Sequence, residues 1–228
     1  MAEATTTTNI DTTIDSALTM TDVSGIPNIQ ELKEAWSTKK WIKLIPVEKS
    51  TPIDGYVHRE HFQLIGSIVL DTDIAEKGKK KGEKARNTVI KLQPVLPEAD
   101  YKKKTEWLYL FTVNGYIVKI GGTRDGIKGR WGSYLCGHHI GERGKSRDCS
   151  KTNGFIYNTF EFYLHQGCTI EMHGYQLPRT EIVSEILGIP TVIVAQTYHA
   201  YESRFMESFK AIYGHYPFLS DNGDPEYR

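Results

Sequence analysis

The sequence predicts an α+β fold: a small mixed or antiparallel three-stranded sheet with flanking helices, preceded by an N-terminal extension. Three observations carry this expectation. Two apolar runs, 107–113 and 116–120, are joined by Asn114-Gly115, a strong local signal for a β-hairpin. Segments 179–190 and 198–213 repeat apolar residues at the three-and-four spacing of a helix face. The other apolar runs are short and bounded by glycine or proline, as strands are.

In chain order, residues 1–25 are Thr-rich and acidic with few large apolar groups, so a disordered tail is expected there. Residues 26–104 read as an N-terminal extension. A short helix follows Pro27, WIKLIPV (41–47) is a strand ended by its proline, and EHFQLIGSIVL (60–70) is a second strand. The run 76–86 carries six basic residues against two acidic. It is a solvated loop or, alternatively, a loop that tracks phosphates.

Residues 105–228 read as the catalytic domain, with an insertion at about 138–165. Its polar part, 138–154, is expected to be a loop, and the aromatic run 155–167 a half-buried strand or helix edge. CTIEMHGYQL (168–177) alternates as a strand does. RTEIVSEILGIP (179–190) sets Ile182, Val183, Ile186 and Leu187 on one helix face, stopped by Gly188 and Pro190. TVIVAQ (191–196) reads as a buried strand, and 198–213 as a helix ended by Gly214.

Composition bounds the function. Lys+Arg and Asp+Glu balance at 28 each, so net charge gives no argument for nucleic acid, although positive charge gathers mid-chain. Three cysteines, an odd count, predict a reducing compartment without a disulfide framework. No run has the 18 or so apolar residues of a membrane span, and no basic region precedes an apolar run at the N-terminus. A soluble, cytoplasmic protein with no membrane partner is expected.

The chemistry gathers in 107–134, WLYLFTVNGYIVKIGGTRDGIKGRWGSY. Register decides whether Tyr109 and Lys119 cooperate. An unbulged two-residue loop pairs Tyr109 with Ile120 and separates the two side chains. A three-residue loop, or a bulge at Tyr116, pairs Val113 with Ile117 and puts Tyr109, Phe111 and Lys119 on one face. Gly121 and Gly122 leave backbone uncovered, so that a phosphate could approach beside Arg124. From Gly126 a helix is expected, carrying Arg130 and, one turn on, Tyr134. Read without any function, Tyr109 is an ordinary strand tyrosine and Lys119 a lysine reaching out from a sheet edge.

These residues resemble the GIY-YIG nucleases. Trp107-Leu108-Tyr109 stands where that family carries G-I-Y, and Lys119-Ile120-Gly121 where it carries Y-I-G. The second tyrosine is thus a lysine, as in a branch of the superfamily that includes some restriction enzymes. Arg130 stands for the family arginine, with Tyr134 where many members carry histidine. The resemblance runs from about Glu106 to Asn222. It implies a metal-binding glutamate on a later helix. Glu202 is one candidate, with Phe205, Met206 and Phe209 at +3, +4 and +7, and Glu207 is the other. Counted from Glu202, the helix end at Gly214 and Pro217 fits the family better. Asn222 matches the family asparagine, or is a turn residue.

The implied activity is metal-dependent hydrolysis of double-stranded DNA. One Mg²⁺ (or Mn²⁺) per site would sit on Glu202. Tyr109 would be the general base, Lys119 would lower its pKa, and Arg130 would clamp the phosphate. Gly121, Gly122, Arg124, Tyr134, His138 and Asn222 would contact substrate. A type II restriction-like enzyme acting on a symmetric site would be a homodimer. A homing or repair nuclease and a non-catalytic DNA-binding module remain open, as does zinc at Cys136, His138, His139, Cys149, Cys168 and His173, whose spacing matches no common zinc pattern.

Overall fold

The structure, a computed structural model, describes residue 42 and residues 51–71, 89–139 and 150–220. The expected tail, the helix after Pro27, most of the 41–47 strand, the basic run 76–86, Cys149 and Asn222 lie outside them.

One antiparallel sheet organises the described chain. Its strands are β1 (Thr51–Pro52), β2 (Gln63–Leu70), β3 (Ile90–Pro94), β4 (Trp107–Val113), β5 (Tyr116–Thr123) and β6 (Ile170–Gln176). They lie in the order β1-β5-β4-β6-β2-β3. The α+β class holds, but the sheet has six strands where three were expected. The added strands β1, β2 and β3 come from the stretch read as an extension, and their pairings are long-range, with no local signature.

Strand β4 is the spine of this sheet, and all seven of its residues are buried. A strand covered on both faces reads as a continuous apolar run, which is how WLYLFTV looks. Tyr109, Phe111 and Val113 face one core with helix α2 (Gly126–Leu135) and helix α3 (Lys151–His165). Leu108 and Leu110 face a second core with helix α4 (Tyr198–Tyr213), including Phe209. A short helix, α1 (Glu98–Lys102), precedes β4.

The hairpin loop is the two-residue type. Asn114 and Gly115 take positive φ, 48° and 80°, as a turn matching the strand twist demands. Val113 pairs with Tyr116 and Thr112 with Ile117, then the register shifts and Phe111 pairs with Lys119. The extra residue is Val118, so the bulge lies two residues beyond the expected position. It has the expected consequence: Tyr109 opposite Gly121 and Phe111 opposite Lys119 share one face.

Three further expectations are corrected. Residues 179–190 are not a helix. Strand β7 (Thr180–Ile186) and strand β8 (Ile189–Ala195) form a separate two-stranded hairpin. Isoleucine and valine dominate both runs, and their stiff branched side chains favour strands over helix. Leu187 and Gly188, at φ 55° and 79°, form its tight turn. Nor is 191–196 a buried strand, because Val192, Ile193 and Val194 are exposed. Finally, residues 155–165 are helix rather than strand, and they are not a half-buried edge: α3 buries every residue from Gly154 to Tyr163. It begins inside the expected 138–154 loop, where the Ser150 hydroxyl accepts from the Asn153 amide at 3.2 Å as an N-cap. Among the described residues no helix is long and apolar enough to cross a membrane.

Candidate active site

Tyr109 projects from β4 into the first core and is fully buried. Its ring lies against Gly121, where an added Cβ would be 2.5 Å from the phenol oxygen. Glycine is therefore required for this ring to lie flat on β5. One turn of α2 brings Arg130 and Tyr134 to it. The Tyr109 and Tyr134 phenols are 2.6 Å apart. Arg130 donates Nε to Tyr109 at 2.7 Å and Nη2 to Tyr134 at 3.0 Å. Its guanidinium also lies 4.4 Å from the Tyr134 ring centre, a cation–π distance.

Lys119 is only 5% exposed. Its Nζ donates to the Leu219 carbonyl at 3.3 Å. The neighbouring Ser220 hydroxyl donates to the Ile120 carbonyl at 2.8 Å and accepts from the Ile120 amide at 2.9 Å. These contacts fasten residues 218–220 along β5, next to Gly121. Sequence reading missed both, because they span 100 positions and a lone serine carries no local signal.

Electrostatics correct one expectation. Lys119 was expected to pull the Tyr109 pKa down, yet burial drives the phenol well above its ordinary value. The Tyr134 phenol adds to that rise, and Arg130 opposes it without overcoming it. The charge moved into the neutral range is that of Lys119 itself. Burial, then the Arg130 cation, push its amine from 10.5 down to about 8. Burying a cation beside another disfavours the charged form. Arg130 goes the other way: burial disfavours its charge, but the two phenols outweigh that and hold it above the ordinary arginine range.

Helix α4 approaches from the opposite face of the sheet. Gly122 is the point of contact: an added Cβ there would be 2.7 Å from the Tyr198 ring and 3.0 Å from Glu202 Oε2. The Glu202 carboxylate is half-buried and makes no hydrogen bond or ion pair with a described residue. Its charge acts on Tyr109, Lys119 and Tyr134. Glu207, the other candidate, is exposed and accepts from the Tyr216 hydroxyl at 2.9 Å. Glu106, just ahead of β4, fixes where α4 starts: its carboxylate accepts from the Thr197 amide at 3.0 and 3.1 Å and from the Thr197 hydroxyl at 2.9 Å. A carboxylate on the free amides of a helix start is favourable. This pairing across 91 residues was also not legible in the sequence.

The structure thus brings Tyr109, Lys119, Arg130, Tyr134 and Glu202 around Gly121 and Gly122. Arg124 is exposed nearby and reaches Gln196 at 3.4 Å. It rims a cleft of about 650 Å³ with Lys103, Lys104 and Arg179. Residues 136–139, with His138, form a 3-10 turn, while the side chains of His138 and His139 lie outside the described part. Cys136 donates to the Ser133 carbonyl at 2.7 Å, Cys168 is buried, and His173 pairs with Glu171 at 3.2 Å. Among the described residues, the group able to offer three ligand atoms within 4.8 Å of one another is His58, Glu60 and His61, with no cysteine. His58 there bonds Ser208 of α4 at 2.9 Å.

The glycine pair yields a direct prediction. Gly121→Ala pushes the Tyr109 ring off its seat, since Phe111 and Tyr134 pack around it. Forcing a methyl into so close a contact costs about 1–3 kcal/mol, so the variant should melt at a lower temperature than the wild type in calorimetry.

Among solved structures, the chain is similar to restriction endonuclease HPY188I in complex with product DNA, with TM-score 0.45 and 19% identity over 73% of this chain and 84% of that one. It is also similar to a mutant of bacteriophage T4 EndoII, with TM-score 0.43 and 19% identity over 65% of this chain and 88% of that one. No family model and no curated protein sequence matches the chain.

Proposed function

We propose that the chain is a Mg²⁺- or Mn²⁺-dependent endonuclease of double-stranded DNA, of the K-I-G branch of the GIY-YIG nucleases. A type II restriction-like, site-specific role with a homodimer on a symmetric site is the form we favour. The observation that carries the proposal is that two phenols, Arg130 and a buried lysine gather on the Gly121 side of β5, while the Glu202 carboxylate meets Gly122 from the other face, close enough for its charge to act on them. Buried cations with oriented phenols suit an anionic centre that must be attacked by water. The basic rim of Lys103, Lys104, Arg124 and Arg179 suits a polyanion lying across it.

The residues fit a metal. Glu202 offers a carboxylate with no described partner, over a glycine where any side chain would intrude. Mg²⁺ needs only one or two carboxylates and keeps several waters. A divalent ion at Glu202 would neutralise the scissile phosphate and stabilise the leaving 3′-oxygen.

The chain's own side chains supply the rest. The phenolate form of Tyr109, a minor one because burial disfavours it, takes the proton of the attacking water as the water oxygen bonds to phosphorus. The bond from phosphorus to the 3′-oxygen breaks, and solvent protonates that oxygen. Arg130 spends Nε and Nη2 on the phenols, so Nη1 is left to reach a non-bridging oxygen. A second reading, favoured by the amine near pH 8, makes Lys119 the proton acceptor and Tyr109 the group that orients the water.

The test is simple. Purified chain with supercoiled plasmid and Mg²⁺ should yield linear DNA with discrete ends, and chelator should stop it. Retention of the plasmid without cutting, at any divalent ion concentration, would instead support a DNA-binding module.

A further inference from the structure

We infer that two copies of this chain associate through the β7–β8 hairpin, each covering the apolar face that the other exposes. This deepens the homodimer of the preceding proposal by naming its surface, but it stands on the hairpin alone and does not need the nuclease reading.

The hairpin is anomalous on a soluble surface. Eight of its residues are exposed large hydrophobics, from Ile193 at 37% to Leu187 at 97%. It forms no pairing with the six-stranded sheet. An isolated two-stranded ribbon is marginal in water and needs packing against a further layer. The turn adds to this, because Leu187 holds φ 55° with its side chain in solvent. A bulky residue in that region is a strained outlier, and such strain persists where another role is served.

The register sorts the two faces. Ile182 pairs with Ile193, Ser184 with Thr191 and Ile186 with Ile189, so these six share one face. That face carries no charge. Glu181 and Glu185 lie on the other, beside Val183 and Val192.

The occupant follows from charge and from the apolar patch. Residues 180–195 contain two carboxylates and no lysine or arginine, so neither DNA nor an anionic lipid surface suits the ribbon. An uncharged face of four isoleucines is its own complement, since sheet faces pack on one another through branched side chains. The formal charge of the whole chain is zero, so two copies meet without long-range repulsion. Eight large hydrophobics exposed on one sixteen-residue ribbon, four of them on the uncharged face, make a patch rather than the scattered single residues a monomer leaves open; a stable interface buries about 800 Å² per partner, so the rest of the contact comes from around the ribbon.

Sedimentation velocity on the full chain at micromolar concentration tests this. The wild type should sediment as a dimer. Ile186→Glu sits on a surface that is open in the monomer, so the fold survives it, and the dissociation constant should rise about 30-fold or more. The paired change Ile182→Thr with Ile193→Thr keeps strand-favouring branched residues and should weaken the dimer in the same direction. Val95→Glu, at an exposed apolar residue elsewhere, should leave it intact. A monomeric wild type overturns the inference, whether or not the chain's own residues 1–50 cover the face. So does an Ile186→Glu variant as dimeric as the wild type. A chain that fails to cut plasmid yet dimerises through the hairpin would sink the nuclease reading and keep this one.

Discussion

Lys119→Met should stabilise the folded chain at pH 7 while removing the cleavage activity proposed above. The folded amine lies near 8 and the ordinary value is 10.5, so holding the proton in the fold is unfavourable. Below pH 8 both states are protonated and the cost is complete. Between about 8 and 10.5 the unfolded chain binds a proton the folded chain has released, so wild-type stability rises with pH across that window. At about 1.4 kcal/mol per unit, the cost of the buried cation is on the order of 3 kcal/mol, less what the bond to the Leu219 carbonyl returns. Methionine fills similar volume without charge. Denaturant melts of both proteins should therefore differ most at pH 7 and converge by about pH 10.5, while activity drops about 10²- to 10⁴-fold. A lysine kept at such a cost accords with the chemistry proposed for it, since functional sites commonly trade stability for activity. An unchanged melt at pH 7 would mean that the cation is solvated.

Tyr109→Phe should lower the cleavage rate about 10³-fold if the phenol is the base. The same change separates the two readings of the proton path. Should Lys119 take the proton, the phenylalanine variant keeps a rate within about tenfold of wild type and retains its dependence on pH near 8. Stability falls in either case. Arg130 Nε and the Tyr134 hydroxyl both lose a partner inside the fold, and an unmet buried donor costs about 1–3 kcal/mol. Single-turnover rates across pH 6–10, with melts alongside, measure both effects.

The parts of this site that were legible in the sequence are those with short-range causes. Asn114-Gly115 marks a turn because its residues accept positive φ, and the shared face of Tyr109 and Lys119 follows once a bulge is allowed. Helix α4 was legible from its apolar period, which also puts Glu202 near the packed side. Contacts across the chain were not: Glu106 on the start of α4, and Ser220 on the edge of β5, depend on where distant segments dock. The 179–190 segment failed for another reason. Ile182, Val183, Ile186 and Leu187 satisfy a helical period and a strand equally, and the turn at Leu187-Gly188 decided between them. The direction of the Tyr109 shift was missed because burial is a tertiary property. A nearby lysine suggests a lowered phenol, whereas a fully enclosed phenol is raised.

The central claim is that Glu202, and not Glu207, completes one metal-assisted phosphodiester centre with the residues around Gly121. The most direct measurement is single-turnover cleavage of a duplex by Glu202→Ala and Glu207→Ala, with duplex binding followed by anisotropy. Glu202→Ala should lose at least about 10³-fold in rate, the several kcal/mol a catalytic metal supplies, and still bind DNA. Glu207→Ala should cut as the wild type does, since its carboxylate holds only Tyr216 at the surface. Undiminished cutting by Glu202→Ala, or its loss in Glu207→Ala alone, would contradict the account.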